Sequence, residues 1–139
     1  MIAPEAIDHV GIAVADLDGA IARYTRWLGV APFAREEVAA DGIEAVLFQV
    51  GPNRVELLGS RRADSVVDRF LQRRGEGLHH LAYLVPDVAA ALAAYRAEGA
   101  TLIDEVPRRG AAGRLVAFVH PRSTGGVLVE LCQSTAVGP

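Results

Sequence analysis

The sequence predicts an α+β fold in which one βαβββ module is written twice in tandem. Three observations carry this reading. The stretch Ile7-Asp8-His9-Val10-Gly11-Ile12-Ala13-Val14-Ala15-Asp16-Leu17 resembles Leu78-His79-His80-Leu81-Ala82-Tyr83-Leu84-Val85-Pro86-Asp87-Val88, with His80 lying 71 residues after His9. The same spacing carries Asp16 to Asp87, Ala20 to Ala91 and Tyr24 to Tyr95. Each half then closes on a matching apolar run, Val55-Glu56-Leu57-Leu58 and Val129-Glu130-Leu131-Cys132. Self-similarity at a fixed spacing marks repetition of one supersecondary unit.

The elements follow in order. His9 and His80 lie in β-branched, alternating stretches that suit strands. Asp16 and Asp87 come next, each placed to cap a helix. The helices are expected over 17–28 and 88–98, ending near Gly29 and Gly99, as helix C-termini often do. Three shorter strands follow in each half, over 32–38, 43–50 and 54–58 in the first and 101–106, 114–120 and 127–132 in the second. Gly51-Pro52-Asn53 supplies one hairpin turn and Gly125-Gly126 lies at the other. The modules span 6–58 and 78–133 of a single domain, with 59–77 as connector. Within it 65–71 reads as a short helix with Val66, Val67, Phe70 and Leu71 on its apolar side. Residues 134–139 are expected to be loose.

Composition narrows the chemistry. At 139 residues the chain can bury a core without staples, and one cysteine excludes an internal disulfide framework or a cysteine-based zinc cluster. No oxidising compartment is needed, which favours the cytoplasm. No apolar run reaches the ~18 residues of a spanning helix, and the first residues lack a signal-peptide profile. A net charge of −3 with 6% aromatic residues argues against nucleic acid. All fourteen basic residues are arginine, so Schiff-base catalysis and a P-loop lysine are excluded. Arginine forks still grip carboxylates and phosphates.

Repetition also points to the reactive residues. His9 and His80 occupy equivalent places, and so do Glu56 and Glu130. If the two halves pack about a pseudo-twofold axis, equivalent inward positions converge, and two imidazoles and two carboxylates surround one point. That donor set suits one divalent metal of mixed N/O preference, such as cobalt, manganese, nickel, iron or zinc. A plainer reading stands beside it. A strand histidine is often an ordinary core residue, and duplication copies structural residues too. A glutamate within Val-Glu-Leu-Leu is harder to explain that way, because a buried charge needs a partner. His79 is expected to point away from His80, His120 to be a loop residue and Cys132 a small core residue.

Three blocks resemble the methylmalonyl-CoA epimerase family, which lies in the vicinal oxygen chelate superfamily with glyoxalase I and the extradiol dioxygenases. They are Ile7-Asp8-His9-Val10-Gly11-Ile12-Ala13-Val14, Arg74-Gly75-Glu76-Gly77-Leu78-His79-His80-Leu81-Ala82, and His120-Pro121-Arg122-Ser123-Thr124-Gly125-Gly126-Val127-Leu128-Val129-Glu130-Leu131-Cys132. The resemblance implies paired βαβββ modules forming a cupped mixed sheet around a divalent metal held by His9, Glu56, His80 and Glu130, with cobalt favoured, in a homodimer. It implies epimerisation of (R)- and (S)-methylmalonyl-CoA through removal of the C2 proton and a metal-stabilised enolate. Some members carry a catalytic glutamate in the strand before the first hairpin. Here a gapless count back from the turn puts Ala45 inward and Glu44 one residue off, and a deletion near Asp41-Gly42 would restore Glu44 to that role. Glu44 is therefore a candidate base, and Glu130 a candidate for both ligand and proton-transfer group. The thioester's nucleotide tail needs anchors, for which Arg108, Gly110, Ser123 and Thr124 are candidates. Two other functions stay open, a glyoxalase-type lyase and a small-molecule-binding, resistance-type protein on the same scaffold.

Overall fold

The computed structural model describes residues 1–134. The expectation for 135–139 falls outside the described residues. Contacts divide the chain into two compact units, one running His9–His79 and the other combining Met1–Asp8 with the residues from His80 on. The chain passes from one unit to the other within two strands, β1 (Ala6–Ala13) and β5 (Gly77–Val85).

In the first unit β1 is followed by α1 (Leu17–Leu28), β2 (Ala34–Val38), β3 (Ile43–Val50) and β4 (Asn53–Ser60). The strand order is β2-β3-β4-β1, with β1 and β4 parallel and the other pairs antiparallel. Asp16 starts α1 by accepting a hydrogen bond from the Gly19 N–H, and Gly29, in the left-handed conformation, ends it. The helix lays Leu17, Ala20, Ile21 and Tyr24 on Val46, Phe48 and Leu57. After β4, α2 (Val66–Arg74) begins at the Ser65 cap and stops at Gly75, one turn later than its apolar pattern suggests.

The second unit repeats this plan. After β5 come α3 (Val88–Ala97), β6 (Arg108–Arg109), β7 (Leu115–Val119) and β8 (Val129–Gln133), in strand order β6-β7-β8-β5. Strands β5 and β8 are parallel and β7 and β8 antiparallel. Asp87 caps α3 through the Ala90 N–H. The helix packs Val88, Ala91, Leu92 and Tyr95 against Val85, Ala117, Val119 and Leu131. These helix positions are those of Leu17, Ala20, Ile21 and Tyr24 moved along by 71 residues. Full burial of a side chain such as Leu92 or Leu131 contributes about 1.5–3 kcal/mol. The α+β class and the repeated βαβββ order are as the sequence predicts.

One expected element is different. Residues 101–106 do not form a strand; Leu102 makes a single bridge to Val119, and the strand β6 is only two residues long. The reason lies at Asp104. The Phe118 carbonyl accepts from both the Ile103 and Asp104 N–H groups, at 3.0 and 3.2 Å. The Phe118 N–H donates to the Asp104 carboxylate at 2.8 Å. A turn and a side chain thus take the hydrogen bonds that a paired strand would have taken.

Candidate functional site

Register decides which side chains can cooperate. Cross-strand partners share a face of a sheet, and consecutive residues alternate between faces. In the first unit Glu56 pairs with Leu47 on β3 and with Gly11 on β1. His9, two residues before Gly11, therefore belongs to the same face, and its Nε2 lies 3.6 Å from Glu56 Oε1. In the second unit Glu130 pairs with Phe118 on β7 and with Ala82 on β5. His80, two residues before Ala82, shares that face, with Nε2 3.9 Å from Glu130 Oε2. The two arrangements match position for position, and all four side chains are buried.

The donor chemistry fits a divalent ion. Two ligand atoms each about 2.1 Å from one cation lie roughly 3.0–3.4 Å apart in octahedral or tetrahedral arrangements. The nitrogen–oxygen separations within each pair lie just above that span. Imidazole nitrogen with carboxylate oxygen is the mixture that borderline transition ions accept.

Apolar side chains frame each pair. Leu47 stands across from Glu56, and Phe118 across from Glu130. The Phe118 ring meets the His80 ring edge-on, with centroids 5.5 Å apart. Sequence reasoning passed over both residues. The signal was present, because Leu47 and Phe118 are separated by the same 71 residues as the histidines.

Glu44 requires correction as an inward base. Its strand runs without interruption from Ile43 to Val50, so the deletion that would have turned it inward does not act. Glu44 pairs with Gly59, while Ala45 pairs with Leu58 on the Glu56 face. Its carboxylate instead accepts from Arg35 Nε at 2.6 Å and lies 3.6 Å from Arg61. The hydrogen bond from Arg35 holds that carboxyl below the usual range.

The expected anchors fall into two groups. Arg108 donates from Nε to Asp104 at 3.1 Å, and its guanidinium lies over the Phe118 ring at 5.5 Å, which brings it beside the His80 pair. Gly110 is fitted to its place by packing, since a Cβ there would meet Val116 Cγ2 at 2.9 Å. Ser123 and Thr124 serve the turn before β8. The Ser123 hydroxyl accepts from the Thr101 N–H, and the Thr124 hydroxyl donates to the Pro121 and Val127 carbonyls. Their hydroxyls therefore have internal work, which the expectation of substrate anchors did not include.

The remaining residues behave as local structure. His79 packs edge-on against Phe70 at 5.0 Å. His120 accepts the Arg122 N–H through Nδ1. Cys132 is buried with Ala82 and Val116, and burial pushes its thiol pKa up.

The chain has relatives among known proteins. Residues 8–118 match the model of the Glyoxalase/Bleomycin resistance protein/Dioxygenase superfamily. The chain is 42% identical over 127 residues to the uncharacterized protein YqjC of Bacillus subtilis, covering 91% of each. It is 34% identical over 129 residues to the ethylmalonyl-CoA/methylmalonyl-CoA epimerase of Cereibacter sphaeroides, covering 91% of this chain and 96% of that one. A solved variant of Streptomyces coelicolor methylmalonyl-CoA epimerase, in complex with 2-nitronate-propionyl-CoA, superposes with a TM-score of 0.93 at 35% identity, covering 99% of both chains.

Proposed function

The chain belongs to the Glyoxalase/Bleomycin resistance protein/Dioxygenase superfamily, and on that premise we propose that it is a metal-dependent epimerase that interconverts (R)- and (S)-methylmalonyl-CoA. The observation that carries the reading is the pair of His/Glu couples in identical register, His9 with Glu56 and His80 with Glu130. Relatives and structural neighbours named for acyl-CoA epimerases support the substrate class. His9, Glu56, His80 and Glu130 would together hold one divalent ion, Co2+ foremost, with Mn2+, Ni2+, Zn2+ and Fe2+ as alternatives. When bound, that ion supplies a Lewis acid for the negative charge that develops on the thioester oxygen.

The chain's own residues divide the remaining work. The Glu130 carboxylate takes the C2 proton from one face of the substrate. A protonated group on the opposite face returns a proton there, and this inverts the centre. Leu47 and Phe118 exclude water beside the two carboxylates, so each proton stays on the group that carries it. Arg108, seated on Phe118, offers positive charge for the anionic end of the substrate.

A cytoplasmic homodimer completes the proposal. A single buried free cysteine requires no oxidising compartment, and among the described residues no helix is long and apolar enough to cross a membrane. The test is wash-in of deuterium at C2 of methylmalonyl-CoA in D2O by Co2+-loaded protein. The expected result is exchange that E130Q slows by about 10²–10⁴, with His80→Ala losing the metal while the fold persists. Metal-loaded protein that exchanges no C2 proton refutes the assignment. Sedimentation velocity checks the dimer.

A further inference from the structure

From the contacts around Arg114 we infer that the Asp8–Arg114 pair is a positioning clamp for the proposed metal ligands His9 and Glu130. The proposal rests on the metal-site reading above. Arg114 is 9% exposed. Its Nη1 and Nη2 donate to the two oxygens of Asp8 at 2.8 and 3.0 Å, a fork-to-fork pair between residues 106 apart in sequence. Its Nε donates to the Gln133 carbonyl at 3.1 Å, and Nη2 also lies 3.5 Å from Cys132 Sγ. One planar group thus grips the strand that carries His9 and the strand that carries Glu130.

The geometry suits orientation more than adhesion. A bidentate guanidinium–carboxylate pair fixes the plane as well as the place of the carboxylate. Asp8 directly precedes His9 in β1, so what holds its carboxylate also holds the backbone from which His9 projects. Holding the Asp8 carboxylate in one plane therefore fixes the rotation of the strand at His9. The Gln133 contact does the same for β8, three residues beyond Glu130. Gln133 in turn accepts the Val88 N–H through Oε1, so the end of β8 is braced from the α3 side as well. Groups that orient a ligand from outside typically change metal affinity 10–100-fold when removed.

The pair has a structural role too, and the experiment separates the two. Replacing a buried ion pair by packed apolar side chains is often neutral for stability, so the D8L/R114M double variant keeps the core while removing the clamp. Co2+ affinity is measured by competition with a chromophoric chelator, and the thermal midpoint is recorded on the same samples. The expected result is a Co2+ Kd raised at least tenfold in D8L/R114M, with D8N alone raising it similarly. Combining D8N with R114K should add little to D8N alone, because the two side chains act as one unit. A folded D8L/R114M protein with wild-type Co2+ affinity overturns the clamp while leaving the metal site intact. Wild-type protein that takes up no Co2+ overturns both this inference and the proposed function.

Discussion

Removing the Asp104 side chain should destabilise the second unit by an amount the structure sets. Asp104 Oδ2 accepts the Phe118 N–H at 2.8 Å, and Oδ1 accepts from Arg108 Nε at 3.1 Å. A hydrogen bond to a charged acceptor contributes about 1.5–3 kcal/mol. The Arg108 pair adds about 0.5 kcal/mol, because the arginine side chain is 36% exposed. The Asp104→Ala change should therefore cost about 2–3.5 kcal/mol, a fall in Tm of roughly 6–14 °C for a chain of this length. Asp104→Asn should fall between the two, since the amide oxygen can still accept from Phe118 while the amide nitrogen faces a second donor on Arg108. Calorimetry with urea unfolding as a cross-check measures both. A D104A protein within about 0.5 kcal/mol of wild type would show that the turn at 103–104 is held by something other than this carboxylate.

Four further predictions rest on other contacts. Glu44→Gln should leave C2-proton exchange unchanged, because Glu44 faces Arg35 and Arg61 and not Glu56; a loss as large as that of E130Q would refute the assigned facing. The Glu44 carboxyl is held below its ordinary range, so its stabilising effect is present above the unfolded carboxylate's pKa and disappears as pH falls through the lower folded value. Wild-type Tm should consequently drop more steeply than that of E44Q between pH 5 and about pH 3. Gly110→Ala should cost about 1–3 kcal/mol by overpacking, since the added Cβ would lie 2.9 and 3.1 Å from the two Val116 methyls; chemical denaturation measures it, and an unchanged midpoint would contradict the packing. The Cys132 thiol should resist a chromogenic disulfide reagent at neutral pH until the chain is unfolded, because burial raises its pKa and shields it. Rapid labelling of native protein would show that the site opens.

What the sequence made legible was whatever the duplication wrote twice. The helix caps at Asp16 and Asp87, the apolar faces of α1 and α3 and the two His/Glu pairs each recur at nearly one spacing, so either half vouches for the other. Features present in one half alone had no such support. Residues 101–106 look like a strand by composition. Asp104 pre-empts the pairing there with a side-chain acceptor, a competition that propensity does not record. The Asp8–Arg114 contact joins positions 106 residues apart and has no counterpart at the repeat spacing, where His79 and Ile43 stand in place of the pair. Glu44 shows the sharpest limit. Its facing depends on whether one residue is present in the loop before β3, and a count from the hairpin and a count from the loop disagree by that residue. The hairpin count is the one the strand obeys, because Val50 pairs with Asn53 across the tight turn and every pairing back to Ile43 follows without a bulge. A tight turn transmits register rigidly, whereas the loop at 39–42 absorbs a length change in its own short helical turn. In a repeat of this kind, facing is therefore best read outward from the hairpins. Reading this way places Leu47 opposite Glu56, whereas the nine residues between Val119 and Val129 form no tight turn from which to count Phe118 onto Glu130.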